Sequence, residues 1–416
     1  VDVNNKKYQQ TPIGLIPSDW PLVELSTVAI ILFSNVDKHI LPNEIDVILC
    51  NYTDVYYNKY IFSGINFSKG SVSEEEFKKF QIKKGDVIIT KDSEDRKDIA
   101  VPAYILENIP NLTCGYHLAI IRPQKNKLSG LFLSQILLSY NVNHYFQRLA
   151  NGITRFGLST DAVRKSLIPI PSINEQHLIA EILATWDSAI IKTKELIENI
   201  QQRNNGLAQQ LLNGKMKVKG FEKTNWKYLA INRIAKEVSI KNIDDKELIV
   251  MSCTKYDGLV PSLEYFGRKI YSDDLTTYKV VKRGQFAYAT NHIEEGSIGY
   301  QSKFDEALIS PMYTVFQTDN TIDDTLFLRL LKSHQYIHQY QRRMEGSIDR
   351  RGGLRWDEFS KIKVPIMEIE EQKAIANILD TAQRELIQYQ QKLQTLQQQK
   401  KGLMQQLLTG KIRVKI

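Results

Sequence analysis

Residues 173–219 read INEQHLIAEILATWDSAIIKTKELIENIQQRNNGLAQQLLNGKMKVK, and residues 369–415 read IEEQKAIANILDTAQRELIQYQQKLQTLQQQKKGLMQQLLTGKIRVK. Setting Glu175 on Glu371 also sets Gln176 on Gln372, Leu183 on Leu379, Gly206 on Gly402 and Gly214 on Gly410, with no gap between them. One stretch is written twice, and an internal repeat governs the reading of everything around it.

Each copy is a helix by its own chemistry. Steps of four and three pick out Ile179, Leu183, Trp186, Ile190, Thr193, Ile197, Ile200, Asn204, Leu207 and Leu211 as the seam of a coiled coil. The second copy gives Ile375, Leu379, Ala382, Leu386, Tyr389, Leu393, Leu396, Lys400, Leu403 and Leu407 in the same register. Both seams are interrupted at the same turn, by Asn204 and by Lys400, and a polar residue there gives up stability to fix register and partner number. The first helix opens on a capping box, Ser172 with Glu175; the second has Glu368 in the cap position and a weaker start. Both end at a glycine followed by lysine, Gly214 and Gly410, suited to a left-handed cap and the helix dipole. About forty residues at roughly 1.5 Å each give a rod on the order of 60 Å. Neither rod can bury its seam alone, so the two are expected to pack antiparallel. Gly206 and Gly402 lie inside the rods at a cost of about 1 kcal/mol each against alanine. Close helix crossing is the first explanation and docking of a partner the second.

Upstream of each rod lies a segment of similar length with the same ordered landmarks. Trp20 and Trp226 each precede a short apolar run, and basic turns at 83–86 and 282–285 lead into strands. Later strands at 117–121 and 313–316 are followed by amphipathic helices at 131–149 and 326–344. Polar, glycine-bearing loops at 151–158 and 346–354 then close each segment, and a proline-marked strand delivers the chain to the rod. Strands and helices lack the regular alternation of a doubly wound sheet, so each globule reads as α+β. The architecture expected is two similar α+β domains separated by two long antiparallel helices forming a coiled coil in a pseudo-twofold arrangement. Its boundaries are an N-terminal extension 1–17, a first domain 18–171, a central helical region 172–215, a second domain 216–367 and a C-terminal helical region 368–416. The rods match each other while the globules diverge. Rods held alike by a common partner and globules free to differ imply two binding specificities.

The totals narrow the class. A chain of 416 residues with 42% apolar content can build more than one real core. Cys50, Cys114 and Cys253 lie far apart without a CxxC or Cys/His cluster, which argues against a disulfide framework or a zinc site and fits a reducing cytoplasm. The longest apolar run, residues 28–33, is far too short to span a bilayer, and residues 1–20 lack the apolar core of a signal peptide. A net charge of +8 favours a polyanionic partner without proving one.

Catalytic chemistry is not visible. The Gly-Lys pairs at 214–215 and 410–411 fail as phosphate loops, because Met216 and Ile412 stand where Ser or Thr should meet magnesium. Glu76 and Lys78 are a nuclease-like fragment without a partnering Pro-Asp. His334 and His338 are four apart on a helix but lack a carboxylate, so a packing or surface role takes precedence over a metal. No catalytic or metal-ligating residues are assigned.

The junction residues 171–176 (PSINEQ), the second junction Glu370, Glu371 and Gln372, and the paired QQLL-x-GK endings resemble the specificity (S) subunits of type I restriction-modification systems, over almost the whole chain. The resemblance implies two target recognition domains alternating with two helical regions and a DNA-reading subunit without catalysis of its own. It implies double-stranded DNA as ligand, two methyltransferase (M) subunits docked on the helices and restriction (R) subunits reached through them. S-adenosylmethionine, ATP and Mg2+ would then belong to those partner subunits, with no cofactor in this chain and no membrane. The residues agree on their own terms, since a globule used twice on a fixed rod suits two half-sites around an unread spacer.

Phosphate contacts call for Lys and Arg, and base readout for Arg, Lys, Asn, Gln, Ser and Thr on loops. The loops nominate Thr90, Lys91, Arg96, Lys97 and Arg155 in the first globule. In the second they nominate Asn291, His292, Arg350, Arg351 and Arg355, with Tyr256 as an aromatic contact; Tyr56, Tyr57 and Tyr60 are aromatic candidates in the first. For any one of them a solvated charge or a core tyrosine is the competing reading. The rival functions are a coiled-coil adaptor that binds proteins without sequence-specific DNA binding, and a nuclease with an unrecognised site.

Overall fold

The structure, a computed structural model, describes residues 8–345 and 353–415. The chain forms two compact units: Val1–Glu195 with Gln391–Ile416, and Leu196–Gln390. Each long helix, Ile173–Leu212 and Ile369–Leu407, therefore gives one half to each unit.

In the first globule the strand Val87–Thr90 is buried along its whole length, as its uninterrupted apolar run requires of a central strand. It pairs antiparallel with Leu118–Pro123 and with Pro102–Ile105; Ala29–Phe33 and Tyr60–Ile61 complete a five-stranded sheet. A second sheet sets Ile45–Cys50 between the parallel strand Leu112–Cys114 and the antiparallel strand Ser68–Val72. The second globule repeats the core of this topology with almost none of the sequence, losing one edge strand from the first sheet and adding Lys279–Lys282 to the second, so that each sheet has four strands. Phe286–Ala289 lies between Tyr313–Thr318 and Ile298–Tyr300, with Ala235–Val238 beyond. Val250–Thr254 lies between parallel Glu306–Ile309 and antiparallel Gly258–Pro261. Both basic turns use a glycine at positive φ, Gly85 and Gly284. A buried side chain accepts from the turn's first amide in each: Asp86 from Lys83 and Gln285 from Lys282, both at 2.8 Å. Asp86 also holds the Arg122 guanidinium through two oxygens (2.8 and 2.7 Å), where the second globule joins Gln285 to Gln317. An ion pair in one copy is thus an amide pair in the other.

The amphipathic helices are each broken in two, contrary to the single spans 131–149 and 326–344. Gly130–Leu137 gives way to Tyr140–Leu149, and Asp324–Leu331 to His334–Glu345. A serine stands at each break: Ser139 Oγ turns back onto the Ile136 carbonyl (2.6 Å), and the Ser333 amide bonds the Leu330 carbonyl (3.0 Å). The Ser139 side chain competes for a backbone bond in this way, as serine does at helix ends, whereas the Ser333 bond is made by its backbone. Each globule is closed by pairing its first strand with its last, Leu22–Glu24 with Leu167–Pro169 and Lys227–Ala230 with Lys363–Ile366.

Within each unit the two long helices run antiparallel, and the seam residues face inward. In the first unit Ile179, Leu183 and Leu407 join the globule's core with Trp20; in the second, Leu211, Ile375 and Leu379 join the core around Phe286 and Phe316. Trp186, Leu207, Tyr389, Leu393 and Leu403 are only partly covered. The polar seam residues reach across. Asn204 donates to the Ala382 carbonyl at 2.8 Å beside an Arg203–Glu385 pair. Lys400, its side chain 4% exposed, meets Asp187, 2% exposed, at 2.5 Å. Asp187 also receives Lys59 (2.9 Å), the Tyr60 hydroxyl (3.1 Å) and the Gln135 amide (3.0 Å). Burial works against the Asp187 carboxylate, yet Lys59 and Lys400 hold it below its ordinary range. Burial, with Lys59 close by, brings Lys400 down to about 8 against the pull of Asp187. Tyr60 belongs to this buried lock, a correction to its reading as a DNA contact.

The Glu-Gln pair that opens each helix has a physical purpose that spacing alone does not reveal. Only half of the capping box forms: Ser172 Oγ accepts from the Glu175 amide (3.3 Å), but the Glu175 carboxylate turns away to Arg413, with Asp19 on the same guanidinium. That corrects the expected capping box, since an arginine at the end of the other helix outbids a local backbone bond. Glu371 is placed alike, taking Trp226 Nε1 (2.9 Å), Thr224 Oγ1 (2.7 Å) and Lys217 (3.5 Å). Gln176 accepts from the Ser129 amide (2.8 Å) and donates to the Lys127 and Pro171 carbonyls. Gln372 repeats this with Asp323, Thr321 and Met367. Each glutamine thereby ties the start of a long helix to the start of a globule helix. Close crossing at Gly206 and Gly402 is not found: a Cβ at either would meet nothing within 4 Å.

Candidate nucleic-acid interface

In the first globule the chain leaves the central strand at Thr90 into a loop built by its own residues. Thr90 is fully buried, donates to the Asp98 carbonyl (2.6 Å) and accepts from the Val101 amide (3.0 Å). Lys91 is half-buried; its amide holds the His117 carbonyl (3.0 Å) and its ammonium the Ser34 carbonyl (2.7 Å), 4.5 Å above the Tyr116 ring. Burial lowers its pKa. Both residues shape the loop and are not displayed on it, which corrects their nomination as contacts.

Arg96 and Lys97 are displayed. They sit on one 3-10 turn, Arg96–Asp98, capped by Asp95, and both are exposed. The Arg96 guanidinium lies 4.7 Å from the Phe156 ring, on a short strand that pairs with Asp92–Ser93. Asp92 meets both Arg155 and His117 Nδ1 at 2.8 Å. Arg96, Lys97 and Arg155 are therefore brought onto neighbouring loops. His117 was missed, because in sequence it reads as the first residue of a strand. Tyr57 is 77% exposed, while the Tyr56 hydroxyl bonds Asp98 (3.2 Å).

The second globule builds the corresponding region differently. Asn291 and His292 are exposed after Phe286–Ala289, and Asn291 accepts from Thr290 Oγ1 at 2.8 Å. Gly353 has φ +65, and a Cβ there would lie 2.4 Å from the Thr290 carbonyl, so glycine lets the closing loop rest against this turn. The Leu354 amide bonds that carbonyl (2.9 Å), and exposed Arg355 follows at the start of Trp356–Phe359. Asn291 and Arg355 thus share one neighbourhood. Arg350 and Arg351 lie outside the described residues. Tyr256, 78% exposed, stands on the turn joining Val250–Thr254 to Gly258–Pro261, whose Lys255 carbonyl receives Lys332 (2.9 Å). His292, Glu294 and Glu295 bring ligand atoms within 4.8 Å of one another, but His292 and Glu295 are open to solvent and nothing fixes a cation there. Cys50, Cys114 and Cys253 are buried free thiols. Among the described residues no helix is long and apolar enough to cross a membrane.

Residues 33–202 match the family model of the type I restriction modification DNA specificity domain. A protein of Methanocaldococcus jannaschii described as a type I restriction enzyme MjaX specificity subunit is 24% identical, over 99% of this chain and 97% of its own. The MjaVIII specificity subunit of the same organism is 26% identical over 60% of this chain and 62% of its own. Among solved structures, the type I restriction-modification S subunit from M. genitalium is similar with a TM-score of 0.54 at 16% identity, covering 97% of this chain and 96% of that one. The HsdS subunit from Thermoanaerobacter tengcongensis gives 0.53 at 14% identity, covering 95% and 98%.

Proposed function

We propose that the chain is a specificity subunit of a type I restriction-modification system, as the proteins it resembles are described, with a part in recognition and not catalysis, and that each globule reads one half of an asymmetric, bipartite DNA target. The observation that carries this is one core topology built twice with unlike loops: Arg96, Lys97 and Arg155 around Asp92 in one globule, Asn291 and Arg355 around Thr290 in the other. Equal scaffolds give equal presentation of a reading surface, and unequal loops give unequal half-sites. The long helices set the unread spacer.

In this reading the helices also dock two methyltransferase subunits, through which restriction subunits join. S-adenosylmethionine, ATP and Mg2+ are held by those partners. Two features support docking. Gly206 and Gly402 leave open space beside the helices. In the first unit a groove of about 1100 Å³ carries Leu15, Tyr57, Phe62, Tyr140 and Ile191 as exposed apolar residues along its lining.

Duplex binding separates this function from a protein-binding adaptor. Affinity of the full chain for duplex DNA, measured by gel retardation, is expected to fall at least tenfold between about 50 and 200 mM salt as released counterions lose their advantage. Binding that ignores salt, or no binding with or without the methyltransferase, contradicts it.

A further inference from the structure

The loop that enters the strand Leu118–Pro123, and its counterpart that enters Tyr313–Thr318, are built to the same plan. Leu118 faces Thr90 in register and Tyr313 faces Ala289, so the loop residues just before them, 115–117 and 310–312, emerge at the same end of the same strand pair. The residue following the neighbouring strand then clamps the last carbonyl of that loop. In the first globule the Lys91 amide donates to His117 O (3.0 Å); in the second, Thr290 Oγ1 lies 3.0 Å from Met312 O and shares its one proton between that carbonyl and Asn291 Oδ1 (2.8 Å). Further bonds hold the first loop's start and the strand residues that flank each loop: Gly115 N to Cys50 O (2.9 Å) and Ser34 Oγ to Cys114 O (2.5 Å) in one, Lys279 Nζ to Tyr313 O (2.6 Å) in the other.

On these braced loops stand side chains that a folded core would ordinarily cover. Tyr116 is 51% exposed, edge-on to His117 at 4.8 Å; Met312 is 58% exposed. Each borders a cleft, of about 260 Å³ with Asp37, Lys38 and Asn51 in the first globule and about 350 Å³ with Glu237, Lys279, Arg355 and Asp357 in the second. A large side chain held out on a clamped loop, beside a cleft that mixes cations with carboxylates, suits a partner that presents base edges to it. The tips also differ in kind. An imidazole and a phenol can exchange hydrogen bonds with base edges, whereas a thioether can only make apolar contact, for which the thymine C5 methyl is the one such group in the major groove.

We propose that these two loops are the base-reading elements, with Tyr116 and His117 contacting one half-site and Met312 contacting a thymine methyl in the other. This rests on the DNA-reading function proposed above and names its residues. The test uses the full chain with its methyltransferase, adenine methylation of a randomised duplex pool, and binding to the selected duplex with single thymines replaced by uracil. For the unaltered chain, one thymine in the second half-site should weaken binding fivefold or more when its methyl is removed. Met312→Ala should weaken binding to the thymine duplex by a similar factor, abolish that difference and relax only the second half-site. Met312→Leu, still apolar, should retain it. Tyr116→Ala with His117→Ala should relax only the first half-site. Retention of both half-site preferences by these variants, or equal binding of thymine and uracil throughout by the unaltered chain, overturns the inference while leaving bipartite reading intact. An unaltered complex with no sequence preference overturns the reading itself.

Discussion

Asp187→Ala is expected to destabilise the first unit by about 3–5 kcal/mol, whereas Lys400→Met should change stability by less than about 2 kcal/mol in either direction. The two partners of one buried ion pair are unequal because their surroundings are. Asp187 collects Lys400, Lys59, the Tyr60 hydroxyl and the Gln135 amide, so its removal leaves an ammonium in the core with only Gln135 Oε1, at 3.3 Å, to meet it. Removal of Lys400 leaves the carboxylate three other donors, and methionine fills the lysine's volume. The pH dependence follows from the same site. Lys400 titrates at about 8 in the folded chain, against roughly 10.4 for a lysine in an unfolded one. Between those values the unfolded chain holds more protons, so this group makes stability rise with pH across that window, and below it the cost of the buried charge is constant. Lys400→Met should remove the rise. Urea unfolding of the full chain between pH 7 and 10 measures both effects; equal losses from the two variants, or a loss below about 1 kcal/mol for Asp187→Ala, would contradict the lock.

Gln176→Leu and Gln372→Leu should each cost about 2–4 kcal/mol, because each strands one amide and two carbonyls at a buried junction. Both glutamines are almost wholly buried, and each makes the same three bonds in its own unit. Glutamate at these positions keeps the size and the acceptor but loses both N–H donors and sets a carboxylate against two carbonyl oxygens. Gln176→Glu and Gln372→Glu should therefore be as damaging as leucine at neutral pH. If glutamate were tolerated, the bonds to the carbonyls would not be what holds helix to globule. Thermal unfolding of the four single variants, with hydrogen exchange at the Ser129 and Asp323 amides, reads this directly.

The comparison of sequence with structure divides along periodicity. The long helices were legible because their seam repeats over ten positions, and Asn204 and Lys400 were legible as exceptions to it. Their partners were not, because Asp187 and Ala382 O are distant in sequence and a carboxylate one residue off the seam reads as an exposed charge. The Glu-Gln pair could be seen to recur, but a capping box is the local interpretation of Ser172 and Glu175, and Arg413 is 238 residues away. The broken helices at 138–139 and 332–333 were hidden because apolar spacing runs on through a serine that ends a helix. In the candidate interface, loop position and side-chain type nominated Arg96, Lys97, Arg155, Asn291 and Arg355, all of which the structure leaves exposed. They also drew in Thr90 and Lys91, whose burial depends on strand pairing, and they passed over His117, which looks like a strand residue until the register is known, and Met312, an apolar residue that nothing in the sequence marks as exposed.

The central claim is that the helices measure the distance between two half-sites read independently. Each helix passes from one unit to the other at Glu195–Leu196 and Gln390–Gln391. Seven residues inserted at both places keep the seam in phase and add about 10 Å of helix, roughly three base pairs of duplex. Sequencing of methylated adenines in cells carrying this variant and its methyltransferase should return both original half-sites separated by a spacer about three base pairs longer. An unchanged spacer, or altered half-sites, would contradict the account.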